Sequence, residues 1–319
     1  MDLILSKADG QEEMFLPYDF DIDLGGTNDF QIELSYASWD DRIEIGKRVY
    51  IPETEYGGII KSISSATNTG NIFLKGYTWR GYLDKRVIRP PEGEDYYTAS
   101  GELNGIISEL VDIPFFVVSD TDTGVSVNYQ FDRYTTVLDG IEKMLRAVDY
   151  RLNIEYIQTQ TGGYVEIGAA PSVEHGDYSQ DSMIDFNSTD NQMGVNHLIC
   201  LGTGELRDRI VVDLYADANG NISQTQTITG IDEIVEVYES PGAEEENLID
   251  GGKQRLKDRL SEKSFTASIK KNTEEMNVGD IVTGSDYITG NTVTKPIIEK
   301  IVKRQNGNIS IDYKIEGEK

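Results

Sequence analysis

One short sequence pattern occurs twice in this chain, once near each end. Each copy contains an alternating segment, a glycine that precedes a second segment, and two β-branched segments on either side of an Asn-containing turn. The first copy comprises residues 30–34 (FQIEL), 45–49 (IGKRV), 59–63 (IIKSI) and 70–74 (GNIFL). The second copy comprises residues 265–269 (FTASI), 278–282 (VGDIV), 297–301 (IIEKI) and 307–311 (GNISI). Such a unit is too small to bury its apolar face alone, so the pattern predicts that further strands, a helix or another copy pack against it.

The order of the segments is the same in both copies, whereas the sequence between the copies is unrelated. Two hairpins can resemble each other by chance, but a matching order over the whole pattern favours a true duplication. A duplicated β unit is typical of a building block in a symmetric assembly. We therefore expect a structural role rather than an enzyme fold.

The composition is that of a globular, β-rich protein. Hydrophobic residues make up 38% of the 319 residues, and the chain contains 18 Tyr and 9 Phe. A chain of this length can fold into about two or three domains. No apolar run approaches the roughly twenty residues of a membrane helix, and no secretory signal is visible at the N-terminus, so we expect no membrane span. Cys200 is the only cysteine, which excludes an intrachain disulfide and favours synthesis in a reducing compartment.

The chain is strongly acidic, with 29 Lys and Arg against 56 Asp and Glu and a net charge of −27. Affinity for a phosphate backbone comes largely from Lys and Arg that displace counterions, so this balance argues against specific nucleic-acid binding. The acidity is compatible with a position beside DNA that must slide past without sticking. We favour the simpler interpretation, in which surface charge keeps a soluble protein from associating promiscuously.

Local periodicity predicts helices between the two copies and strands elsewhere. The predicted helices are residues 103–111 with Ser100 as N-cap, a helix with Leu138, Ile141, Leu145 and Val148 on one face, and residues 244–263. The predicted strands include residues 3–5, an aromatic strand at 76–82, residues 115–118 and 125–131, a hairpin of 152–157 with 164–167, and residues 194–202 and 209–215. These elements suggest four regions: a β unit at 1–95, an α+β module at 96–174, a β-rich connecting domain at 175–243, and a helix plus the second β unit at 244–319.

No catalytic, cofactor-binding or metal-binding residue is predicted. His175 and His197 are the only histidines, and neither has a zinc-type spacing to the lone cysteine. His197 alternates with apolar neighbours within a strand, and we interpret it as structural because a catalytic base needs positioned partners. No nucleophile-elbow motif is present. With 56 acids, some carboxylate pair is inevitable, so no single pair indicates a glycosidase.

Two further features have a structural interpretation. Asp120 and Asp122 resemble the start of a calcium loop, but Gly124 comes one position early and Phe131 stands where the loop needs a bidentate Glu. The segment is therefore predicted to be a turn. The two tryptophans, at positions 39 and 79, are interpreted as core or interface anchors rather than as ligand platforms.

Residues 196–206 (NHLICLGTGEL) and 209–217 (RIVVDLYAD) resemble bacteriophage tail hub proteins. This family includes the hubs of long-tailed phages, of defective prophages and of phage-tail-like bacteriocins (tailocins). Residues 131–141 (FDRYTTVLDGI), 278–282 (VGDIV) and 313–315 (YKI) are similar to the family as well. The resemblance covers most of the chain, and its motifs are strand sequences without catalytic residues.

The resemblance implies a mainly β fold with an α+β insertion, in which two tube-like β-barrel domains flank the α+β module. It also implies a homotrimeric baseplate hub, because two β units in each of three subunits form a pseudo-sixfold ring that matches a hexameric tube. The implied partners are further copies of this chain, the tail tube protein, a spike or tail-tip protein, and a tape-measure protein in the lumen. The implied location is the tail of a virion, or of a contractile or non-contractile phage-tail-like particle, assembled in the bacterial cytoplasm.

Two other function classes stay open at this point. A β-rich adhesin would bind cell-wall glycans through exposed Tyr and Trp side chains. A peptidoglycan hydrolase would need a positioned acid–base pair, and the sequence allows none to be named. Some hubs carry a lysozyme or peptidase domain, and none is recognisable here, so we expect no enzymatic activity and no cofactor. For a ring, we expect a net negative lumen walled by the two β units, with apolar and aromatic joining surfaces.

Overall fold

The computed structural model describes residues 3–179, 184–191, 193–260, 262–269, 275–288 and 290–315. The chain divides into two compact units. Unit 1 consists of Met1–Asp185, Ala267–Ser285 and Thr292–Glu316, and unit 2 consists of Phe186–Thr266, Asp286–Asn291 and Gly317–Lys319. Unit 1 therefore contains the whole first copy of the repeated pattern and nearly all of the second.

Strands dominate both units. The first part of the chain contains β1 (Leu3–Ser6), β2 (Glu12–Leu16), β3 (Asp19–Leu24), β4 (Asp29–Ser35), β5 (Arg48–Tyr50), β6 (Gly57–Ile59), β7 (Ser62–Ala66), β8 (Asn71–Tyr77) and α1 (Trp79–Asp84). There follow β9 (Thr98–Glu102), α2 (Leu103–Leu110), β10 (Phe116–Val118), β11 (Ser126–Gln130), α3 (Val137–Arg146), β12 (Tyr150–Thr159), β13 (Gly162–Pro171) and β14 (Glu174–Tyr178). The rest comprises β15 (Ile184–Asn191), β16 (His197–Leu201), β17 (Val211–Ala216), β18 (Ile222–Ser223), β19 (Val235–Glu239), α4 (Glu245–Lys257), β20 (Glu262–Ile269), β21 (Ile281–Asp286), β22 (Asn291–Gln305) and β23 (Asn308–Ile315). None of the helices in the described part of the chain is long and apolar enough to span a membrane.

A long sheet in unit 1 contains strands from both ends of the chain, in the order β20-β23-β22-β3-β4-β8-β7. β22 of the second copy pairs antiparallel with β3, with Val302 opposite Ile22, and β3 pairs with β4 of the first copy, so one strand lies between the two copies. The predicted mainly β fold with an α+β module is confirmed. No closed barrel is present among the described strands, because the β22–β3 pairing joins the two copies into one open sheet.

The two copies have the same strand connectivity. In the first copy β4 pairs with β8, and β8 forms a hairpin with β7. In the second copy β20 pairs with β23, and β23 forms a hairpin with β22. β5 pairs with β6 as β21 pairs with β22. A difference is that β22 is continuous over 15 residues, whereas the first copy is interrupted at Ile60 and Lys61, between β6 and β7.

The small sheet β2-β1-β5-β6 lies between two cores of unit 1. Successive strand residues point to opposite faces, so Leu5 and Val49 pack against the long sheet. Ile4 and Tyr50 on the other face pack against α1, α2, α3 and the β12–β13 hairpin. The predicted hairpin and the two helices of the α+β module are confirmed, since β12 pairs with β13 and α2 and α3 bury one apolar face each.

The prediction of one continuous aromatic strand over residues 76–82 is wrong. β8 ends at Tyr77 and α1 follows. The Thr78 side chain accepts a hydrogen bond from the Gly81 N–H at 3.4 Å, which is the role of a helix N-cap. The helix then buries Trp79 and Leu83, and this burial outweighs the strand preference of the aromatic residues.

Three helix ends also differ from the prediction. α3 ends at Arg146, so Val148 lies beyond the helix. Glu102, and not Ser100, caps α2, because its side chain accepts a hydrogen bond from the Gly105 N–H at 2.9 Å. Ser100 lies within β9, where it pairs with β11. α4 ends at Lys257 rather than continuing to residue 263, and β20 begins at Glu262.

Unit 2 is built on the sheet β18-β17-β16-β19. α4 packs against one face of this sheet, where Leu248 and Leu256 contact Leu198, Cys200 and Leu214. β16 pairs antiparallel with β17 and parallel with β19. The predicted strands at 194–202 and 209–215 therefore become neighbours in one sheet.

Candidate assembly surface

An acidic face runs across the long sheet of unit 1, on the side opposite the core. In β3 (DFDIDL) the three apolar residues are buried, so Asp19, Asp21 and Asp23 point away from the core. The register of the neighbouring strands extends this face over both copies. It includes the acids Asp19, Asp21, Asp23, Asp29, Glu33, Glu299 and Asp312 and the bases Lys75, Lys303 and Lys314. Seven acids and three bases give these positions a net charge of −4.

A depression of about 320 Å³ lies in this face where β3 meets β22. It is lined by Asp21, Asp23, Thr27, Asp29, Phe30, Gln31, Lys75, Ile301 and Lys303. Lys303 Nζ lies 3.0 Å from Asp21 Oδ2, so this lysine is held within the face by an ion pair. The face thus presents three carboxylates, those of Asp21, Asp23 and Asp29, in the region between the two copies.

Asp23 and Glu299 concentrate negative charge beside this depression. Partial burial and the nearby Glu299 carboxylate raise the pKa of Asp23 above its ordinary value. Asp23 Oδ1 accepts a hydrogen bond from the Gly26 N–H at 2.9 Å, and Lys314 pairs with Glu299. Burial and the neighbouring carboxylate thus act in the same direction on the pKa of Asp23.

The other end of the long sheet has an open edge. β7 is the last strand in the order, and its outer side has no strand partner among the described residues. Unpaired N–H and C=O groups on such an edge can pair with a strand of another chain. Next to the edge lies a shallow, mostly apolar depression of about 450 Å³. We name its lining the Trp39 patch, which consists of Tyr36, Trp39, Ile63, Ser65 and Ile72.

The two tryptophans have different environments. Trp39 is 38% exposed in the Trp39 patch, and its Nε1–H donates to Asp41 Oδ1 at 3.1 Å. Trp79 is fully buried and stacks on Tyr156 with ring centroids 5.5 Å apart. Trp79 is therefore a core anchor, whereas Trp39 has the exposure that an interface anchor requires.

The histidines and the cysteine are engaged in local structure. His175 Nε2 lies 3.2 Å from Asp280 Oδ2, and Arg151 pairs with the same carboxylate at 2.8 Å. His197 Nε2 lies 2.8 Å from the carboxylate of Asp213 in the neighbouring strand. Cys200 lies under α4, and burial raises the pKa of its thiol to about 11. A thiol with a raised pKa is a poor nucleophile at neutral pH.

The Asp-rich loop between β10 and β11 forms a turn, as its spacing indicated. Asp122 Oδ1 accepts a hydrogen bond from the Gly124 N–H at 2.8 Å, and Gly124 has a φ of 71°. Within the described residues, no group of three or more His, Cys, Asp or Glu side chains is arranged to hold a metal ion.

The acidic face was not identified from the sequence, although its signal was present. Asp19, Asp21 and Asp23 alternate strictly with Phe, Ile and Leu, which is the period of a strand with one buried and one polar face. The repeated pattern begins after β3, so it contains no signal for β3 itself.

The fold of this chain is similar to the folds of several proteins of known structure. No protein-family model matches the chain, and no curated protein matches it. The crystal structure of the 43 kDa tail protein of prophage MuSo2 from Shewanella oneidensis is similar, with a TM-score of 0.51 and 12% identity, over 99% of this chain and 98% of that chain. The prophage tail protein gp18 from Listeria monocytogenes EGD-e is similar at a TM-score of 0.51 and 13% identity, over 99% and 94% of the two chains.

A third similar structure comes from an assembled particle. The baseplate of phage P2, solved in its activated conformation with calcium, contains a chain with a TM-score of 0.51 and 9% identity, over 98% of both chains. Identities this low establish a shared fold. The similarity extends over nearly the whole length of each chain and therefore includes the long sheet as well as unit 2. This chain has the fold of phage tail and baseplate proteins.

Proposed function

We propose that this chain is the structural hub of a phage tail or phage-tail-like particle, which joins the tail tube to the central spike or tail tip as a homotrimer. The observation that carries the proposal is the acidic face of the long sheet, to which both copies contribute strands on either side of β3. Two equivalent β units in each of three subunits supply six units around a pseudo-sixfold ring. The shared fold with tail and baseplate proteins supports the same role.

In this proposal the acidic face lines the lumen of the ring. A tape-measure protein or DNA would have to move through that lumen without being held. An opposite charge about 4 Å away in a partly dry channel attracts by about 4 kcal/mol at an effective dielectric near 20, so a basic wall would retain a passing phosphate polymer. A wall with more carboxylates than amines avoids this retention.

The open edge of β7 and the Trp39 patch supply the joining surface in the same proposal. Exposed Trp and Tyr side chains are enriched at the centres of protein interfaces. Tyr36 is 42% exposed, and Trp39 lies close by on the same patch. Pairing of a strand with β7 and burial of these rings would act together, so the acidic residues can remain in the lumen and at the outer rim.

A mass measurement of the purified protein, alone and mixed with the tube protein of the same particle, tests the hub assignment. We expect a mass of three chains, or three chains within the complex with tube protein. A protein that stays monomeric and also fails to bind tube protein would contradict the proposal. A trimer whose lumen is dominated by Lys and Arg would retain the hub role but contradict the assignment of the acidic face.

A second candidate function is favoured by the Trp39 patch. Exposed aromatic rings beside polar groups also stack on sugar rings, so the patch could belong to an adhesin for cell-wall glycans. Trp39→Ala separates the two functions: loss of trimer or tube-protein binding supports the hub, whereas loss of binding to purified cell wall alone supports the adhesin. The same cell-wall incubation should release no soluble fragments, and release that depends on a single Asp or Glu would instead identify a hydrolase.

A further inference from the structure

The sheet of unit 2 has one face that no described element covers. α4 occupies the face that carries Leu198, Cys200 and Leu214. Alternate residues of three adjacent strands form the opposite face, and we name it the valine face. It comprises Val211, Asp213 and Tyr215 of β17, His197, Ile199 and Leu201 of β16, and Val235, Val237 and Glu239 of β19.

Three valines of the valine face are open to solvent. Val211, Val235 and Val237 are 53%, 48% and 51% exposed, although β-branched side chains in strands fit a half-buried surface. Ile199 stands between two of these strands, opposite Val237. Burial of such side chains stabilises a complex in proportion to the apolar area removed from water.

The margin of the valine face is acidic. Glu233 lies 2.7 Å from Nδ1 of His197, and Asp213 lies 2.8 Å from its Nε2, so one imidazole stands between two carboxylates. Glu239 adds a third carboxylate at the end of β19, with Arg209 at 3.9 Å. Residues 186–266 contain 15 acidic and 7 basic residues, a net charge of −8. A second copy on this face would bring like charges into contact.

The size of the valine face also limits its occupant. Three strands of about five residues, at the usual strand spacing and rise, cover roughly 14 Å by 16 Å, or about 220 Å². A stable interface between globular proteins buries about 800 Å² on each partner. A short segment can cover the valine face completely, whereas a second subunit would need much more surface than the face offers.

We propose that the valine face binds a short segment of another protein in which apolar side chains alternate with Lys or Arg. The apolar side chains cover the valines and Ile199, and the cations pair with Asp213, Glu233 and Glu239. Alternation is required because one side of an extended segment must be apolar. This inference concerns unit 2 and does not depend on the lumen or the trimer proposed for unit 1.

Three short synthetic peptides test the proposal against the full-length chain: one alternates Lys and Val, one alternates Glu and Val, and one alternates Lys and Ser. We expect the Lys–Val peptide to bind much more tightly than the other two. The double variant Val235→Ser/Val237→Ser should weaken its binding about tenfold or more, and Glu239→Gln should weaken it and reduce its salt dependence. Val117→Ser in unit 1 is the matched control, because Val117 is 46% exposed, and it should leave binding unchanged.

Three results would overturn the proposal. The first is an affinity for the Lys–Val peptide that the double variant does not change, which would mean that the acidic chain binds cations elsewhere. The second is equal binding of the Glu–Val peptide. The third is a concentration-dependent self-association that the double variant abolishes, which would assign the valine face to a second copy.

Discussion

Gly46 and Gly279 occupy the same position in the two copies of the repeated pattern and make the same reciprocal type of backbone contact, to an isoleucine that differs by one position within the pattern. The Gly46 N–H donates to the Ile60 carbonyl at 2.8 Å, and the Ile60 N–H donates back to the residue after the glycine at 2.9 Å. The Gly279 N–H donates to the Ile297 carbonyl at 2.8 Å, and the Ile297 N–H donates back at 2.8 Å. The φ angles of the two glycines are 97° and 93°. The copies therefore share a glycine of positive φ with a reciprocal pair of backbone hydrogen bonds, as well as a strand order.

Replacement of Gly46 and of Gly279 by Ala is expected to lower the free energy of unfolding by different amounts. Both positions have a positive φ, which costs an L-residue about 1–2 kcal/mol. A Cβ at Gly46 would meet nothing within 4 Å, whereas a Cβ at Gly279 would lie 2.6 Å from Arg151 Cβ. We expect Gly46→Ala to cost about 1–2 kcal/mol of unfolding free energy and Gly279→Ala at least about 1 kcal/mol more, because overpacking adds to the strain. Denaturant unfolding of both variants measures this, and equal costs would contradict the packing argument.

The adjacent glycines of α4 provide a second matched pair. A Cβ at Gly252 would lie 2.6 Å from Cys200 Sγ and 2.7 Å from Leu214 Cδ1, whereas at Gly251 the nearest atom is the Tyr238 hydroxyl at 2.9 Å. The hydroxyl is the end of a side chain that can move. We expect Gly252→Ala to destabilise unit 2 by about 1–3 kcal/mol and Gly251→Ala to be neutral or to stabilise it by up to about 1 kcal/mol through helix propensity. Thermal unfolding of the two variants distinguishes them, and the opposite order would show that α4 does not pack closely at Gly252.

Substitution of Trp79 should affect folding, whereas substitution of Trp39 should affect assembly. Trp79→Ala removes a fully buried ring and is expected to cost about 3–5 kcal/mol. Trp39→Ala removes a ring that is 38% exposed, so we expect a change within about 1 kcal/mol in stability but a loss of trimer or tube-protein binding. Unfolding and mass measurements on the same preparations test both statements. An unchanged assembly in a folded Trp39→Ala variant would remove the patch from the joining surface.

Glu275 is expected to make the stability of unit 1 sensitive to acid. Burial opposes ionisation of Glu275, but hydrogen bonds from Tyr56 and Lys300 and the lysine charge outweigh it, so the pKa is lowered below its ordinary value of 4.5. A carboxyl whose pKa is lower in the folded state stabilises the fold above its unfolded pKa and loses this effect as the pH falls through the folded pKa. The difference in unfolding free energy between the wild type and Glu275→Gln should therefore be constant near neutral pH and shrink below about pH 4.

A control keeps this acid prediction specific. Glu94 is exposed, and Glu94→Gln removes one negative charge without removing a buried contact. The difference in unfolding free energy between the wild type and Glu94→Gln should not shrink in this way as the pH falls. A difference for Glu275→Gln that stays constant down to pH 3 would contradict the expected contribution of the ionised carboxylate.

Local sequence patterns were sufficient for most individual elements. β4 and the β12–β13 hairpin follow from alternation, and the buried face of α3 follows from the spacing of Leu138, Ile141 and Leu145. The failures occur where a side-chain contact decides the outcome. Thr78 turns an aromatic stretch into α1 by capping it, and a strand pattern contains no information about that cap. The division into four regions at residues 95, 174 and 243 stays a prediction.

The joining of the two copies could not be predicted from local patterns. The pairing of β3 with β22 depends on the register between Ile22 and Val302, and register between distant strands is set by the whole packing arrangement. The exposure of Trp39 and the burial of Trp79 are likewise results of tertiary structure. Sequence reasoning therefore identified the repeated units, and the structure identified the surface that they form together.

The β3–β22 pairing has a consequence for synthesis of the protein. Asp19 accepts a hydrogen bond from the backbone N–H of Asn306, 287 positions further along the chain, so β3 lacks this neighbour until β22 has been synthesised. A growing chain must carry this strand with an unpaired edge, and contacts this distant in sequence form slowly. β22 is therefore the strand that protects this edge of β3 from aggregation.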